Sequence, residues 1–419
     1  MRILWLCSTM TPRIAEVLGV KSATNVSWIV NALEQLKKDN TNKLAISFPM
    51  KTDGSVISGS VDGMNYYAFN KPSNKMLNYD EENDNQLSYI INDFQPEVIH
   101  IWGTEYPHTL SMLNACKTNG LLDNVVVSIQ GLCSFIAKHY YAGLPEKIIK
   151  RYTLRDLLKR ENIKTQKEIF EKRGEYEVKS LSLARNVIGR TDWDRACTKQ
   201  INPNLNYYFC NETLRKSFYD NIWDYEKCKK HSIFISQGYY PVKGLHMAIE
   251  ALSIVKKKFS DATMYVGGLD LINRGKKTSS YGKYIKQLLK KYKLEDSVIF
   301  TGMLDEENMC QQYLNANVFL SASSIENSPN SVGEAMLLGM PVVSSDVGGV
   351  KNLLIHNEEG YIYPFAEPYM AAHYINKVFS DGENAIALGL KAKNHAQITH
   401  NEQNNTDDLL GIYKIICNN

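Results

Sequence analysis

Short apolar runs rich in β-branched residues recur along the chain. They stand at Arg2–Leu6, Val98–Trp102 and Val125–Ile129, then at Ser232–Ser236, Thr263–Val266, Val298–Phe300, Val318–Leu320 and Pro341–Ser344. Short continuous runs of this kind fit strands buried on both faces. Between most of them lie stretches of helical length. Lys243–Lys257 is a clear case, with Leu245, Ala248, Ile249, Leu252 and Val255 on one face. The alternation predicts an α/β fold with parallel sheets covered by helices. So many strands exceed one ordinary sheet, and two doubly wound domains are expected. The stretch 203–230 is polar and lacks clean periodicity, and the apolar run HSIFIS follows directly. It is read as the seam, which gives domains 1–205 and 206–395. The last ~50 residues read as helices only.

Composition narrows the class. At ~150 residues per domain, 419 residues suggest two or three domains. Hydrophobic residues at 44% and charged residues at 22% exclude a disordered, collagen-like or disulfide-stapled chain. With 48 Lys+Arg against 45 Asp+Glu the net charge is only +3, and no nucleic-acid partner is expected. The eight cysteines form no C-x-x-C and no zinc spacing. They are read as reduced thiols of a cytoplasmic protein. The first apolar run is too short for a signal-peptide core, and no window reaches the ~18 apolar residues of a membrane span. Lipid contact, if any, is then peripheral.

The most informative segment is 321–350, SASSIENSPNSVGEAMLLGMPVVSSDVGGV. Ser328 is read as a helix cap with Pro329 in the first turn, and Gly339 followed by Pro341 as the stop. A helix over roughly Pro329–Leu338 would then begin beyond the C-terminal end of a parallel strand, the edge where doubly wound sheets bind ligands. The N–H groups of Asn330, Ser331 and Val332 would offer a diphosphate site, helped by the helix dipole. Glu326 lies before this helix and Glu334 in its second turn. One such carboxylate can accept two hydrogen bonds from a vicinal diol such as a ribose; the other can meet sugar hydroxyls or a developing charge.

The E-x7-E spacing of Glu326 and Glu334, continued by EAMLLGMPVVSSDVGG, resembles the signature of the family-4 retaining glycosyltransferases of the GT-B fold. The resemblance implies two Rossmann-like domains facing a cleft. The first, 1–205, would take the acceptor and the second, 206–395, a nucleotide-diphospho-sugar. A final helix within 396–419 would cross back to the first domain. It further implies Glu326 near the donor sugar as the catalytic residue, Glu334 on the ribose, and Asn330, Ser331 and Lys243 on the diphosphate. In SQGYYPVKG, residues 236–244, Lys243 matches the family's phosphate lysine, while Gln237 stands where an Arg is usual and brings no charge. Gly348–Gly349 matches the loop below the donor sugar, but Asn352 replaces the acid that usually follows. Backbone near Gly267–Gly268 and Thr301–Leu304 would read the base.

The first half is looser. Val98–Trp102 with Gly103-Thr104-Glu105, and VVVSIQGL at 125–132, resemble the family's strand ends. Glu105 and Gln130 are candidates for sugar or acceptor contact. Gln130 replaces a common His and cannot exchange a proton at neutral pH. His100 reads better as a satisfied core histidine. Arg190 reads equally as an acceptor contact or an ion pair. At Ser22–Val26 the family's usual Gly pair is absent. Neither a metal nor another cofactor is expected: Asp192-Trp193-Asp194 has a metal-like spacing but falls at a helix start. The implied business is transfer of a hexose-type sugar from a UDP- or GDP-sugar to a glycan or lipid-linked glycan, in bacterial surface polysaccharide synthesis. A non-catalytic GT-B protein that binds glycan or partners is the alternative, and a sugar-nucleotide epimerase a third.

One charge run stands apart. Residues 138–173 hold Lys138, Lys147, Lys150, Arg151, Arg155, Lys159, Arg160, Lys164, Lys167, Lys172 and Arg173 against five acids, with apolar residues interleaved. It is read either as a solvated helix face or as a peripheral contact of the first domain with anionic membrane.

Overall fold

The computed structural model describes residues 1–21, 27–39, 41–71, 78–159 and 161–418. Ser22–Val26 and Arg160 lie outside them. The chain forms two compact units.

The first unit comprises Met1–Phe135, Ile169–Thr213 and His400–Asn419. Its strands are β1 (Arg2–Leu6), β2 (Lys43–Met50), β3 (Ile57–Val61), β4 (Met64–Asn70), β5 (Val98–Trp102), β6 (Val125–Ser128), β7 (Asn186–Gly189) and β8 (Asn206–Phe209). They form one sheet in the order β3-β4-β2-β1-β5-β6-β7-β8. The pairs are parallel except the β3–β4 hairpin. Asp62 and Gly63 make its two-residue turn, both at positive φ, as right-twisted strands require. Side chains alternate across β1. Leu4 and Leu6 pack with Ile99 and Ile101 on one face; Ile3 and Trp5 pack with Ile46 and Phe48 on the other. Both faces are covered, which is why β1 and β5 read as unbroken apolar runs.

Helix Glu402–Cys417 closes the second face, burying Ile412, Tyr413 and Ile416 against Ile3 and Trp5. A buried polar chain ties it down. Trp5 Nε1 donates to the Tyr413 hydroxyl at 3.0 Å. That hydroxyl lies 2.5 Å from His100 Nδ1, and His100 Nε2 lies 2.6 Å from Ser128 Oγ. His100 is therefore a fully satisfied core histidine, and burial lowers its pKa to about 3.

The second unit comprises Ile136–Glu168 and Leu214–Thr399. It contains β9 (Lys229–Ile235), β10 (Thr263–Gly267), β11 (Val298–Gly302), β12 (Ala316–Ser321), β13 (Val342–Asp346) and β14 (Tyr361–Pro364). The sheet order is β11-β10-β9-β12-β13-β14, all parallel. Chain order reverses between β9 and β12, the topological switch of a doubly wound sheet. Phe234, Tyr313, Phe319, Leu337 and Leu338 anchor one core of this unit.

These ranges differ from the expected 1–205, 206–395 and 396–419. The first division falls at 213/214 and the last at 399/400, and 136–168 belongs to the second unit. Edge strand β8 occupies the start of the polar stretch, and its mixed exposure explains its missing apolar signal. Among the described residues, no helix is long and apolar enough to cross a membrane.

Tyr413→Phe leaves the Trp5 N–H and His100 Nδ1 without their buried partner. We expect a loss of about 2 kcal/mol in urea unfolding, whereas Tyr369→Phe, at an exposed hydroxyl, should change little.

Candidate functional site

The loops at the switch of the second sheet bring several of the singled-out residues together. After β9 the chain runs through Gln237, makes a single turn over Pro241–Lys243, and enters helix Leu245–Val255 through Gly244. After β12 it runs through Glu326 to helix Asn330–Leu338. Lys243 Nζ donates to Glu326 Oε1 at 2.6 Å, and Ser323 Oγ donates to the same oxygen at 2.6 Å. Two glycines allow this approach. Gly244 has φ +69°, and a Cβ there would strike the carbonyl oxygen of Ala322. Gly348 has φ +51°, and a Cβ there would strike the carbonyl oxygen of Glu326. The Gly349 N–H donates to that same oxygen at 3.2 Å. The Gly348–Gly349 loop is therefore a seat for Glu326 as well as a turn.

Helix Asn330–Leu338 begins one residue later than expected. Pro329 takes the cap position with no side-chain cap bond, so Ser328 does not act as the cap; Gly339 ends the helix in the left-handed conformation. The Val332 N–H donates to the Pro329 carbonyl at 2.9 Å and is not open to an anion, contrary to expectation. Asn330 and Ser331 remain half-buried in the first turn. The positive end of the helix dipole lies there, beside the loop of Glu326.

Glu334 is buried in the second turn, and a residue outside the sequence reading holds it. Arg215 donates from Nε to Oε1 at 2.6 Å and from Nη2 to Oε2 at 2.7 Å. Burial raises the Glu334 pKa, and Arg215 opposes the rise. The Tyr313 hydroxyl is a further hydrogen-bonding neighbour of this carboxylate, which still has lone-pair capacity for another donor. Arg215 left no local signal: it stands 119 residues from its partner, in the polar stretch read only as a seam. Gln237 is half-buried, and among the described residues its side chain has no hydrogen-bond partner.

Glu105 and Gln130 lie in the first unit. Gly103, at φ +95°, lets the chain fold the Glu105 carboxyl back over it; a Cβ there would collide with that carboxyl. Burial, aided by the nearby Glu177 carboxylate, pushes Glu105 up to about 7. Glu177 was not foreseen. It is fully buried and accepts from Cys133 N at 2.8 Å, Ser134 N at 3.1 Å, Ser134 Oγ at 2.6 Å and Thr104 Oγ1 at 3.0 Å. It thereby ties the loop after β5 to the loop after β6. Gln130 donates to Glu212, whose other oxygen accepts from Arg190 at 2.9 Å. Arg190 therefore forms a buried ion pair. Asp194 completes a capping box with Thr191 at a helix start.

Residues 220–395 match the family described as "Glycosyl transferases group 1". Spore coat protein SA of Bacillus subtilis is 26% identical over 175 residues, 41% of this chain and 46% of that protein. The amylovoran biosynthesis glycosyltransferase AmsK of Erwinia amylovora is 26% identical over 169 residues, 38% of this chain and 39% of its own length. The matches thus span less than half of these curated relatives. Over the whole chain the fold is similar to sucrose-phosphate synthase from Thermosynechococcus elongatus, with TM-score 0.72, 16% identity and 99% of each chain covered.

Two measurements follow from the geometry. Gly348→Ala must displace the Glu326 backbone, and we expect a loss of about 2 kcal/mol in thermal unfolding. The Glu105 acid holds its proton up to about 7 in the fold, against 4.5 ordinarily. Between those values the folded state binds a proton that the unfolded chain has released, so stability falls as pH rises through that window. Glu105→Gln removes this slope. It should be about 2 kcal/mol more stable than the parent near pH 8, with little difference near pH 4.

Proposed function

Residues 220–395 form a group 1 glycosyl transferase domain within a chain of GT-B fold, and from that premise we propose that the protein transfers a hexose-type sugar from a UDP- or GDP-sugar to a glycan or lipid-linked glycan, with retention of anomeric configuration. The observation that carries this reading is the Lys243–Glu326 pair, 2.6 Å apart at the switch point of the second sheet and next to a helix N-terminus. A cation and a dipole end at that edge suit a diphosphate, and a carboxylate between them suits a sugar above it. The naming of AmsK for amylovoran biosynthesis supports an assignment to surface polysaccharide synthesis.

In this reading Lys243 leaves Glu326 for the diphosphate when the donor arrives. Asn330 and Ser331 add donors from the first turn. Gln237 adds an uncharged hydrogen bond where related chains carry a cation. The Glu334 carboxylate, oriented by Arg215 on both oxygens, accepts the ribose hydroxyls through its remaining lone pairs. Breaking the sugar–phosphate bond leaves charge on the diphosphate, and stabilising that charge is the chief electrostatic task. Lys243 and the helix dipole supply it without a metal. The acceptor hydroxyl then attacks from the face the diphosphate leaves, passes its proton to a leaving phosphate oxygen, and retains configuration. Glu326 lies near the developing positive charge on the sugar. Glu105 and Gln130 take the acceptor or sugar side.

Calorimetric titration with UDP and GDP tests the reading. One nucleotide should bind the parent. Lys243→Ala and Glu334→Gln should each weaken it about tenfold or more, as loss of a charge-assisted contact does. If neither nucleotide binds at millimolar concentration, the protein is a non-catalytic member of the fold.

A further inference from the structure

The segment 136–168 is inserted between two parts of the first unit in sequence, yet it packs with the second. Its anchors are specific. Ser324, in the loop that leads to Glu326, donates from Oγ to the His139 carbonyl at 3.2 Å. Tyr140 is fully buried. A Cβ at Gly143 would meet His246 and Met247, in the helix that follows Lys243. The basic run expected on the first domain therefore lies largely on the second unit.

Within this segment, helix Leu154–Lys159 is turned inside out. Its polar residue Asp156 is wholly buried and accepts from the Ser280 N–H at 2.9 Å and the Thr153 N–H at 3.1 Å. Its leucines face water: Leu154 is 63%, Leu157 60% and Leu158 78% exposed, and Tyr152 just before them is 51% exposed. Positions 154, 157 and 158 fall on one helix face. An apolar stripe aimed outward has no reason to persist in a merely solvated helix.

Its surroundings are basic, and the part of that charge from the turn at 274–277 has no sign in the run 138–173. The helix, which itself carries exposed Lys159, packs beside the turn Gly275–Lys277, which adds exposed Lys276 and Lys277 and the preceding Arg274. Among the described residues, none of Lys159, Lys276 and Lys277 has a carboxylate partner. The local acids are already used, Glu146 by Lys150 and Glu161 by Arg155. Two copies meeting through these leucines would bring like charges together.

We propose that this patch docks the second unit onto an anionic membrane surface, with Leu154, Leu157 and Leu158 entering the acyl boundary, Tyr152 at the headgroup level, and Lys159, Lys276 and Lys277 on the headgroups. The proposal does not depend on the transfer reaction. It places the unit that carries Lys243 and Glu326 at the lipid surface.

Vesicle sedimentation tests it. The protein should pellet with phosphatidylcholine vesicles that contain phosphatidylglycerol, and stay in the supernatant with phosphatidylcholine alone. Leu154→Gln, Leu157→Gln and Leu158→Gln combined should lower the partition about tenfold, and Lys276→Glu with Lys277→Glu by a similar factor. Both changes lie at exposed side chains, and a melting temperature equal to the parent's checks that the fold is intact. The idea fails if the parent ignores anionic vesicles or if the leucine variant binds them as the parent does. It also fails if lipid-free velocity sedimentation shows a dimer that the leucine variant dissolves, because a second copy would then be the occupant.

Discussion

The close approach of two loops at the switch of the second sheet organises the site. Lys243 and Glu326 come from segments 83 residues apart and meet because β9 and β12 are neighbours. Gly244 lets the loop after β9 close on Ala322 in the loop after β12, and Gly348 lets the loop after β13 close on Glu326. Ser323 then holds the same Glu326 oxygen, and Ser345 Oγ donates to the Ser323 carbonyl at 2.6 Å, so β13 supports the arrangement from behind. A lysine and a carboxylate held in this way wait for a charged ligand to divide them.

The first unit solves a related problem differently. Its strand-end loops are joined by a buried carboxylate. Glu177 spends its acceptor capacity on four donors from two loops, and this makes its burial tolerable. Glu105 lies near that charge with backbone N–H groups of Thr104, Glu105 and Gly131 as its partners; burial outweighs them, and its proton is held to about 7. Burial raises the pKa of both acids, and hydrogen bonds to each oppose the rise.

The legible part of the fold was the part buried on both faces. β1, β5, β9, β10, β12 and β13 read as apolar runs because helices cover both sides of their sheets. β3, β8, β11 and β14 stand at sheet edges, where one side lacks a strand partner; of these, β11 still reads as an apolar run through Val298, Ile299 and Phe300. Polar positions entered β3 and β8, and the apolar signal was lost. β2 and β4 are largely buried and were passed over in a half of the chain without a motif to frame them, although the Asp62-Gly63 turn signalled a hairpin. In the candidate site, Lys243, Glu326 and Glu334 were found because each stands in a local motif. Arg215 and Glu177 were not, because a residue that serves another residue far along the chain leaves no local pattern.

The sequence by itself determined the α/β class, the two sheets, the helix that starts after β12, and the carboxylates around it. These follow from short-range periodicity, from caps and stops, and from a spacing confined to one stretch. The tertiary structure alone decided which side chains pair: Lys243 with Glu326, Glu334 with Arg215, Arg190 with Glu212. It also decided that 136–168 belongs with the second unit and that helix Leu154–Lys159 turns its leucines outward. Helical spacing marks which residues share a face, but only packing against Ser280 and the turn Gly275–Lys277 determines which face is left for solvent.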